Sequence, residues 1–363
     1  MVYSSICKPD QVSGDEIFRA QGRSAQELFN LGACYFLGRH RQRDLGTAVQ
    51  LFTRAAKSGH AEAQYRLGVC CMKGAGMPVD TEKAVHWFKK AAAQGNMKAQ
   101  SSLGYCYREG VGVARDMAQA AEWYQKAADQ GDAAAQVNLG ICYECGAGVG
   151  VDAERAFRLY EKAARQGSAQ ARNKVGDCYH FGIGAPVDFE KAAEWWLMAA
   201  KQGNVKAQNR MGYCYRDGIG VKADTTMAAE WFSKGAEQGN AEAQHNLGMC
   251  YATGCGVPVD KAKAAALFTA SAEQGNAQAQ GCLGMCYFEG DGVEKNNESA
   301  LKWLTRSAGQ NHAFAQYVLG TMYESGNCVE QSNAIAMEWY GKACGNGNAE
   351  ACRAVERLQA LGN

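Results

Sequence analysis

Two pairs of closely spaced cysteines are the first residues of this chain that could do chemistry. Cys142 and Cys145 have the C-x2-C spacing of redox motifs and zinc half-sites, and Cys282 and Cys286 are one helical turn apart. A zinc site of the common type needs a second pair within about 15–20 residues, and none follows Cys145. Cys142 and Cys286 also belong to a set of cysteines that recurs every 36 residues, called here a column. The sequence therefore predicts no metal site.

No other residues form a catalytic or cofactor motif. The six histidines make neither an HExxH motif nor a close cluster with carboxylates. The glycine-rich segments 146–152 and 218–224 superficially look like phosphate loops, but they lack the GKS or GKT ending and a preceding strand. No serine lies in a nucleophile elbow. We therefore expect a protein without enzyme activity and without a cofactor.

Composition excludes several classes of partner. The formal net charge of +1 gives no general attraction to nucleic acid, membranes or acidic partners. No run of 18 apolar residues suggests a membrane span. The first residues lack the apolar core of a secretory signal, although a trimmed N-terminal segment would escape notice. We expect a cytoplasmic protein that neither inserts into a membrane nor binds nucleic acid.

The sequence repeats every 36 residues, nine times, without an insertion or deletion. One column of the repeat is always glycine, at Gly32, Gly68, Gly104, Gly140, Gly176, Gly212, Gly248, Gly284 and Gly320. A fixed period of this length indicates a solenoid of stacked units. We predict an all-α fold, an α-solenoid of nine helix-turn-helix repeats over residues 24–347. Residues 1–23 would form a tail and a half-repeat cap at 14–22, and residues 348–363 a C-terminal capping helix.

Each repeat is expected to contain two helices, called helix A and helix B. In the second repeat, apolar spacing places helix A at 61–73, and Gly74 is typical of a left-handed helix end. Asp80 has the character of an N-cap for helix B, and the same column is Asp, Asn or Ser in every repeat. His60 and His312 stand where other repeats have good caps for helix A, so we expect them to cap poorly.

The small residues suggest how the two helices pack. A glycine inside a helix costs about 1 kcal/mol relative to alanine, so nine of them indicate a close approach. The matching small column on helix B contains Ala84, and we expect Gly68 to face it. Trp87 and Phe88 would then cover the next layer of side chains between the two helices.

Half of the sixteen cysteines share one column of the repeat. Methionine fills the ninth place of that column, which favours a small buried apolar site over a disulfide framework, because a free cysteine behaves as a small hydrophobe. The eight members are Cys34, Cys70, Cys106, Cys142, Cys178, Cys214, Cys250 and Cys286.

The pattern A-x3-L-G-x-C-Y-x2-G-x-G-V-x2-D-x3-A-x2-W resembles the Sel-1-like repeat, a relative of the tetratricopeptide repeat. It is clearest from Ala99 to Asp132 and covers about nine-tenths of the chain. The resemblance implies a right-handed superhelix of paired antiparallel helices. It also implies a role as an adaptor or scaffold that binds other proteins, without catalytic machinery.

A secreted, cysteine-rich branch of that family joins each helix B to the next helix A by a disulfide at C-x7-C spacing. Only Cys344 and Cys352 have this spacing here, which argues against that branch and leaves one possible terminal disulfide. The alternative function would be a secreted or envelope factor that binds cell-wall glycan or a host protein, or acts as a weak hydrolase. A chain regularised by design would also show a gap-free register, but the varied surface speaks against it.

The resemblance places helix A on the concave side of the superhelix. There the columns of Glu62, Arg66, Val69 and Lys73 vary within the chain, whereas the core columns do not. Arginine, lysine and amide donors would lie beside tyrosine and methionine, a mixture that suits capture of a protein or extended peptide. The competing interpretation is an ordinary solvated helix face. The candidate partner-binding residues are Arg66, Tyr105, Asn138, Lys174, Arg210, Tyr213 and Asn246, with the last four at the centre.

Overall fold

The computed structural model describes residues 22–361 of the chain. These residues form nineteen α-helices and contain no strand. The predicted half-repeat cap at 14–22 falls almost wholly outside the described residues. The all-α fold of paired helices predicted from the 36-residue period is confirmed.

Every helix is 13 residues long, and helices A and B alternate along the chain. The A helices are α1 (Ala25–Leu37), α3 (Ala61–Lys73), α5 (Met97–Glu109), α7 (Ala133–Cys145), α9 (Ala169–Phe181), α11 (Val205–Asp217), α13 (Ala241–Thr253), α15 (Ala277–Glu289), α17 (Ala313–Ser325) and α19 (Ala349–Leu361). The B helices are α2 (Leu45–Lys57), α4 (Thr81–Ala93), α6 (Met117–Asp129), α8 (Ala153–Arg165), α10 (Phe189–Lys201), α12 (Thr225–Glu237), α14 (Lys261–Glu273), α16 (Asn297–Gly309) and α18 (Asn333–Gly345).

The chain divides into two compact units, of which the first ends at Val187 and the second begins at Asp188. Within each unit, every helix packs against the helix before it and the helix after it. A single hairpin has one apolar stripe and little core of its own, so each unit builds a continuous core by stacking hairpins.

Caps and glycines set the helix ends. Asp80 accepts the backbone N–H of Lys83 at 2.9 Å, and the equivalent residue caps helix B in all nine repeats. Gly74 has a left-handed φ of 70°, as expected for a helix C-terminus. His60 differs from the prediction, because its Nδ1 accepts the Ala63 N–H at 3.1 Å and so caps α3. His312 makes no side-chain cap, as expected.

The glycine column packs against a large side chain of helix B, which is an aromatic ring in most repeats and Leu304 at Gly284. A Cβ added to Gly68 would lie 2.6 Å from ring carbons of Phe88 and 3.2 Å from the carbonyl oxygen of Ala84. The predicted close approach of Gly68 to the Ala84 backbone is therefore confirmed, whereas the prediction that Phe88 covers only the next layer was wrong. Phe88 is 2% exposed and fills the space directly over the glycine, because only a residue without a side chain leaves room for the ring.

A second glycine, present in the loops of seven of the nine repeats, contacts the preceding repeat, and His40 and Cys328 stand in its place in the first and last repeats. Gly112 has a φ of 68°, and a Cβ there would lie 2.2 Å from the carbonyl oxygen of Thr81, the first residue of α4. Both the backbone angle and the lack of space require glycine at this position. The loop of one repeat thereby packs against the first residue of helix B in the repeat before it.

Seven of the eight cysteines in the column are buried, as predicted, and the eighth, Cys286, is half-buried. Burial raises the pKa of Cys106 to about 11, so this thiol stays protonated at neutral pH and serves as core.

Cys344 and Cys352 are joined by a disulfide, with their Cα atoms 4.8 Å apart. The bond links α18 to α19, the last two helices of the chain. This is the junction at which the C-x7-C spacing indicated one possible disulfide.

Candidate interaction surface

Polar side chains on successive A helices bond to one another along the exposed side of the repeats. We call this side, formed by the columns of Glu62, Arg66, Val69 and Lys73, the helix A face. Arg108 donates to Asn138 at 3.0 Å, and Lys174 forms an ion pair of 2.9 Å with Glu144. Both pairs span 30 residues and therefore join one A helix to the next.

Glu144 also receives a hydrogen bond from a buried tyrosine. The Tyr160 hydroxyl donates to it at 2.5 Å, so one carboxylate connects Lys174 on the surface to the ring over Gly140 in the core. Burial, followed by this carboxylate, raises the pKa of the Tyr160 hydroxyl far above its ordinary value. The hydroxyl therefore stays protonated and remains the donor.

The second unit has a chain of amide and hydroxyl groups at the corresponding place. Asn246 is 6% exposed and donates to Asn209 at 3.0 Å and to the Tyr213 hydroxyl at 2.9 Å. The Tyr213 hydroxyl in turn donates to Glu242 at 3.1 Å. Both N–H groups of Asn246 are thus used within the protein, and a ligand could engage only its carbonyl oxygen. The effect is to fix the half-buried Tyr213 in one orientation.

The other candidate residues are held by neighbours on their own or an adjacent helix. Arg66 forms an ion pair of 3.0 Å with Glu62, one turn earlier. Tyr105 is 46% exposed, and the Arg108 guanidinium lies 5.7 Å from the centre of its ring. Arg210 lies 5.6 Å from the ring of Trp196.

The candidate set therefore falls into separate groups. Tyr213 and Asn246 contact each other directly, and Arg210 lies on the same helix as Tyr213. Lys174 belongs to the first unit, where its partner is Glu144. The structure shows these side chains already paired within the protein, which orders them.

Sequence reasoning missed the column that supplies the partners. Arg108 and Glu144 are equivalent positions near the end of helix A, and neither was among the candidates. The signal was present in the spacing, since a charged residue at this position is followed 30 residues later by Asn138 or Lys174. The candidate surface should include this column.

The helix A face becomes apolar and sulfur-rich toward the end of the chain. Met249 is 38% exposed and Phe314 is 45% exposed, while Cys282 and Met285 are half-buried. Exposed apolar side chains of this size grouped on one face are typical of contact surfaces.

The described residues contain no group of three or more His, Cys, Asp and Glu side chains arranged to hold a metal ion. None of the helices between residues 22 and 361 has the length and hydropathy needed to cross a bilayer.

The fold and the paired side chains define this protein as a tandem array of helical hairpins. A sequence model of the Sel1 repeat matches it nine times in succession, at residues 28–60, 61–96, 98–132, 133–168, 169–204, 205–240, 241–276, 277–312 and 313–348. The chain therefore belongs to the Sel1 repeat family, as the resemblance predicted. Arrays of this kind are commonly scaffolds for protein interaction and are not a catalytic fold.

Two solved structures show the likeness in three dimensions. One is c5321, a protective antigen of uropathogenic Escherichia coli, with 31% identity, 94% of this chain and 85% of that chain covered, and a TM-score of 0.64. The other is a Sel1 repeat protein from Oxalobacter formigenes, with 36% identity, 67% and 96% covered, and a TM-score of 0.61. A comparison with curated protein sequences found no match.

Proposed function

We propose that this chain is a non-enzymatic scaffold that binds an extended peptide or protein segment along the helix A face. The observation that carries the proposal is the hydrogen-bonded chain from Asn246 through Tyr213 to Glu242. It holds a large amphipathic side chain in place on a face whose residues vary from repeat to repeat. Tyrosine and arginine are enriched in protein interfaces, and a side chain ordered before binding loses less entropy on binding.

Peptide binding by this face requires polar groups for the main chain and apolar area for side chains. In the second unit, Arg210 and the carbonyl oxygen of Asn246 would supply the polar contacts. Met249, exposed by more than a third, would supply apolar area in the same unit. The face needs no cofactor for this role.

The test is selection of binding peptides from a phage-displayed library. We expect peptides selected on the wild-type protein to bind the combined variant Arg210→Ala/Tyr213→Ala at least about tenfold more weakly, which is about 1.4 kcal/mol. The matched control is Lys201→Ala/Glu230→Ala, two exposed residues of the B helices in the same unit. Circular dichroism and thermal unfolding would establish that both variants fold.

Equal binding to the wild-type protein and to the helix A variant would refute the proposal. Equal loss in both variants would also count against it, because the loss would then not belong to the helix A face.

A second candidate is an exported factor that contacts a glycan or a host protein. The Cys344–Cys352 disulfide supports it, since disulfides persist in oxidising compartments. The thirteen free cysteines among the described residues weigh against it. Counting reactive thiols in the denatured protein from its native cell separates the two. A reduced Cys344–Cys352 pair would contradict the exported factor.

A further inference from the structure

A small group of sulfur atoms lies near the surface of the second unit, apart from the polar part of the helix A face. The Sγ atom of Cys282 on α15 lies 3.9 Å from the Sδ atom of Met249 on α13. Cys286 follows Cys282 by one turn of the same helix. The three residues come from two neighbouring A helices, so the repeat packing itself brings them together.

All three side chains are accessible from solvent. Met249 is 38% exposed, and Cys282 and Cys286 are half-buried. Cys286 is the member of the cysteine column that is only half-buried, and Cys282 lies one turn before it. An ion could therefore reach the sulfurs without unfolding of the repeat.

The spacing fits one small metal ion. Metal–sulfur bonds of about 2.3 Å hold three sulfurs in a plane about 4 Å apart. The observed separation of Cys282 and Met249 is close to that value. Residues one helical turn apart have Cβ atoms about 5–6 Å apart, which places Cys286 beside Cys282, and the proposal requires a Cys286 rotamer that turns its sulfur toward the same ion.

The donor set determines the metal. Two thiols and a thioether are soft ligands, and soft ligands select Cu(I) among the biological metals. We propose that Met249, Cys282 and Cys286 bind one Cu(I) ion. On binding, each thiol releases its proton to solvent, so one Cu⁺ and two thiolates form a complex with a net charge of −1 and copper is neither oxidised nor reduced. This site goes beyond the scaffold function and does not depend on it.

The experiment is a competition between the full chain and the chromophoric Cu(I) chelator bicinchoninate, under anaerobic conditions and without added thiols. Copper is kept below one equivalent, so that only the tightest site fills. The variants are Cys282→Ser, Cys286→Ser and Met249→Leu, which keep side-chain size and remove the sulfur or weaken it as a ligand. The control is Cys328→Ser, which removes a half-buried thiol in the loop after α17.

We expect the wild-type protein and the control to bind one Cu(I) ion with equal affinity. Each cysteine variant should bind it about 100-fold more weakly, and Met249→Leu about tenfold more weakly, in line with the loss of a ligand. Copper K-edge X-ray absorption of the wild-type complex should show three sulfur ligands.

Wild-type affinity in either cysteine variant would overturn the site. Unchanged affinity in Met249→Leu, or a nitrogen ligand on copper, would overturn the three-sulfur arrangement. Circular dichroism of each variant establishes that the repeats remain folded, so a lost site is not confused with a lost fold.

Discussion

The disulfide between Cys344 and Cys352 lies where other repeats join helix B to the next helix A by a hydrogen bond. In the fourth repeat Gln136 donates to the carbonyl oxygen of Ala128 at 3.2 Å. Both links span eight residues, and the two cysteines occupy the same columns as Ala128 and Gln136. At the last junction a covalent bond has replaced a polar contact.

Reduction of this disulfide should destabilise the C-terminal end. Closing a loop of this length is expected to contribute about 2–3 kcal/mol, so a reductant should lower the temperature at which α19 unfolds. The matched control is Cys344→Ala/Cys352→Gln, which restores the residues of the other junctions and should not respond to the reductant. Differential scanning calorimetry with and without dithiothreitol measures both. Identical responses of the two proteins would contradict the prediction.

The glutamines of the other junctions should be stabilising because they are buried and bonded at both ends. Gln136 is 4% exposed, and its Oε1 accepts the Gln166 amide at 2.8 Å. We expect Gln136→Leu to lower the free energy of unfolding by about 1–3 kcal/mol, because the carbonyl oxygen of Ala128 and the side-chain amide of Gln166 both lose their hydrogen-bond partner. Gln166→Ala, which removes an exposed partner, should cost less. Urea denaturation compares them, and a larger effect of Gln166→Ala would contradict this account.

Glycines inside helices should respond to alanine according to what lies over them. A Cβ at Gly104 would lie 2.5 Å from the buried ring of Tyr124. Overpacking of about 1–3 kcal/mol should exceed the gain of about 1 kcal/mol in helix propensity, so Gly104→Ala should destabilise the fold. At Gly341 a Cβ would meet nothing within 4 Å, and Gly341→Ala should stabilise by about 0.5–1 kcal/mol. Thermal unfolding tests the opposite signs, and the same sign in both variants would exclude the ring contact as the cause.

Two histidines in the second unit should make stability depend on pH. Burial lowers the pKa of His245 and of His312 below the ordinary value of 6.5, and His312 contributes further to lowering that of His245, whereas Glu242 opposes it. The unfolded chain therefore binds more protons below about pH 6.5 than the folded one does. The stabilising contribution is present above about pH 6.5 and is lost as the pH falls through the folded pKa values.

The control for this prediction comes from the repeats themselves. Asn209 and Asn276 occupy the same columns as His245 and His312. We expect His245→Asn/His312→Asn to lose less thermal stability than the wild-type protein between about pH 7 and pH 5. The pH dependence that remains would come from His60 and the carboxylates. An unchanged slope would show that these two side chains do not titrate on unfolding.

The sequence predicted the backbone better than it predicted the contacts. The bounds of α3 and the start of α4 follow from Gly74 and Asp80, because helix ends are local events decided by caps and by left-handed glycines. The contact of Gly68 with the Phe88 ring was not predictable in the same way. Ala84 and Phe88 share one face of helix B and both meet the glycine, and how closely each approaches depends on the crossing of the two helices.

The candidate surface shows the same limit. Residue types on the helix A face pointed to donors such as Asn246 and Lys174. Their partners lie 30 or more residues away, at Tyr213 and Glu144, and only the packing of one repeat on the next brings them within reach.

The loop contact of Gly112 with Thr81 has a consequence for how the gene can change. The equivalent contact recurs at seven loop glycines, and every described helix has the same length, so these repeats offer their neighbours similar interior surfaces. Recombination that deletes or duplicates 36 codons therefore joins ends that already fit. The polypeptide can therefore be shortened or lengthened one hairpin at a time, and the length of the helix A face changes with it.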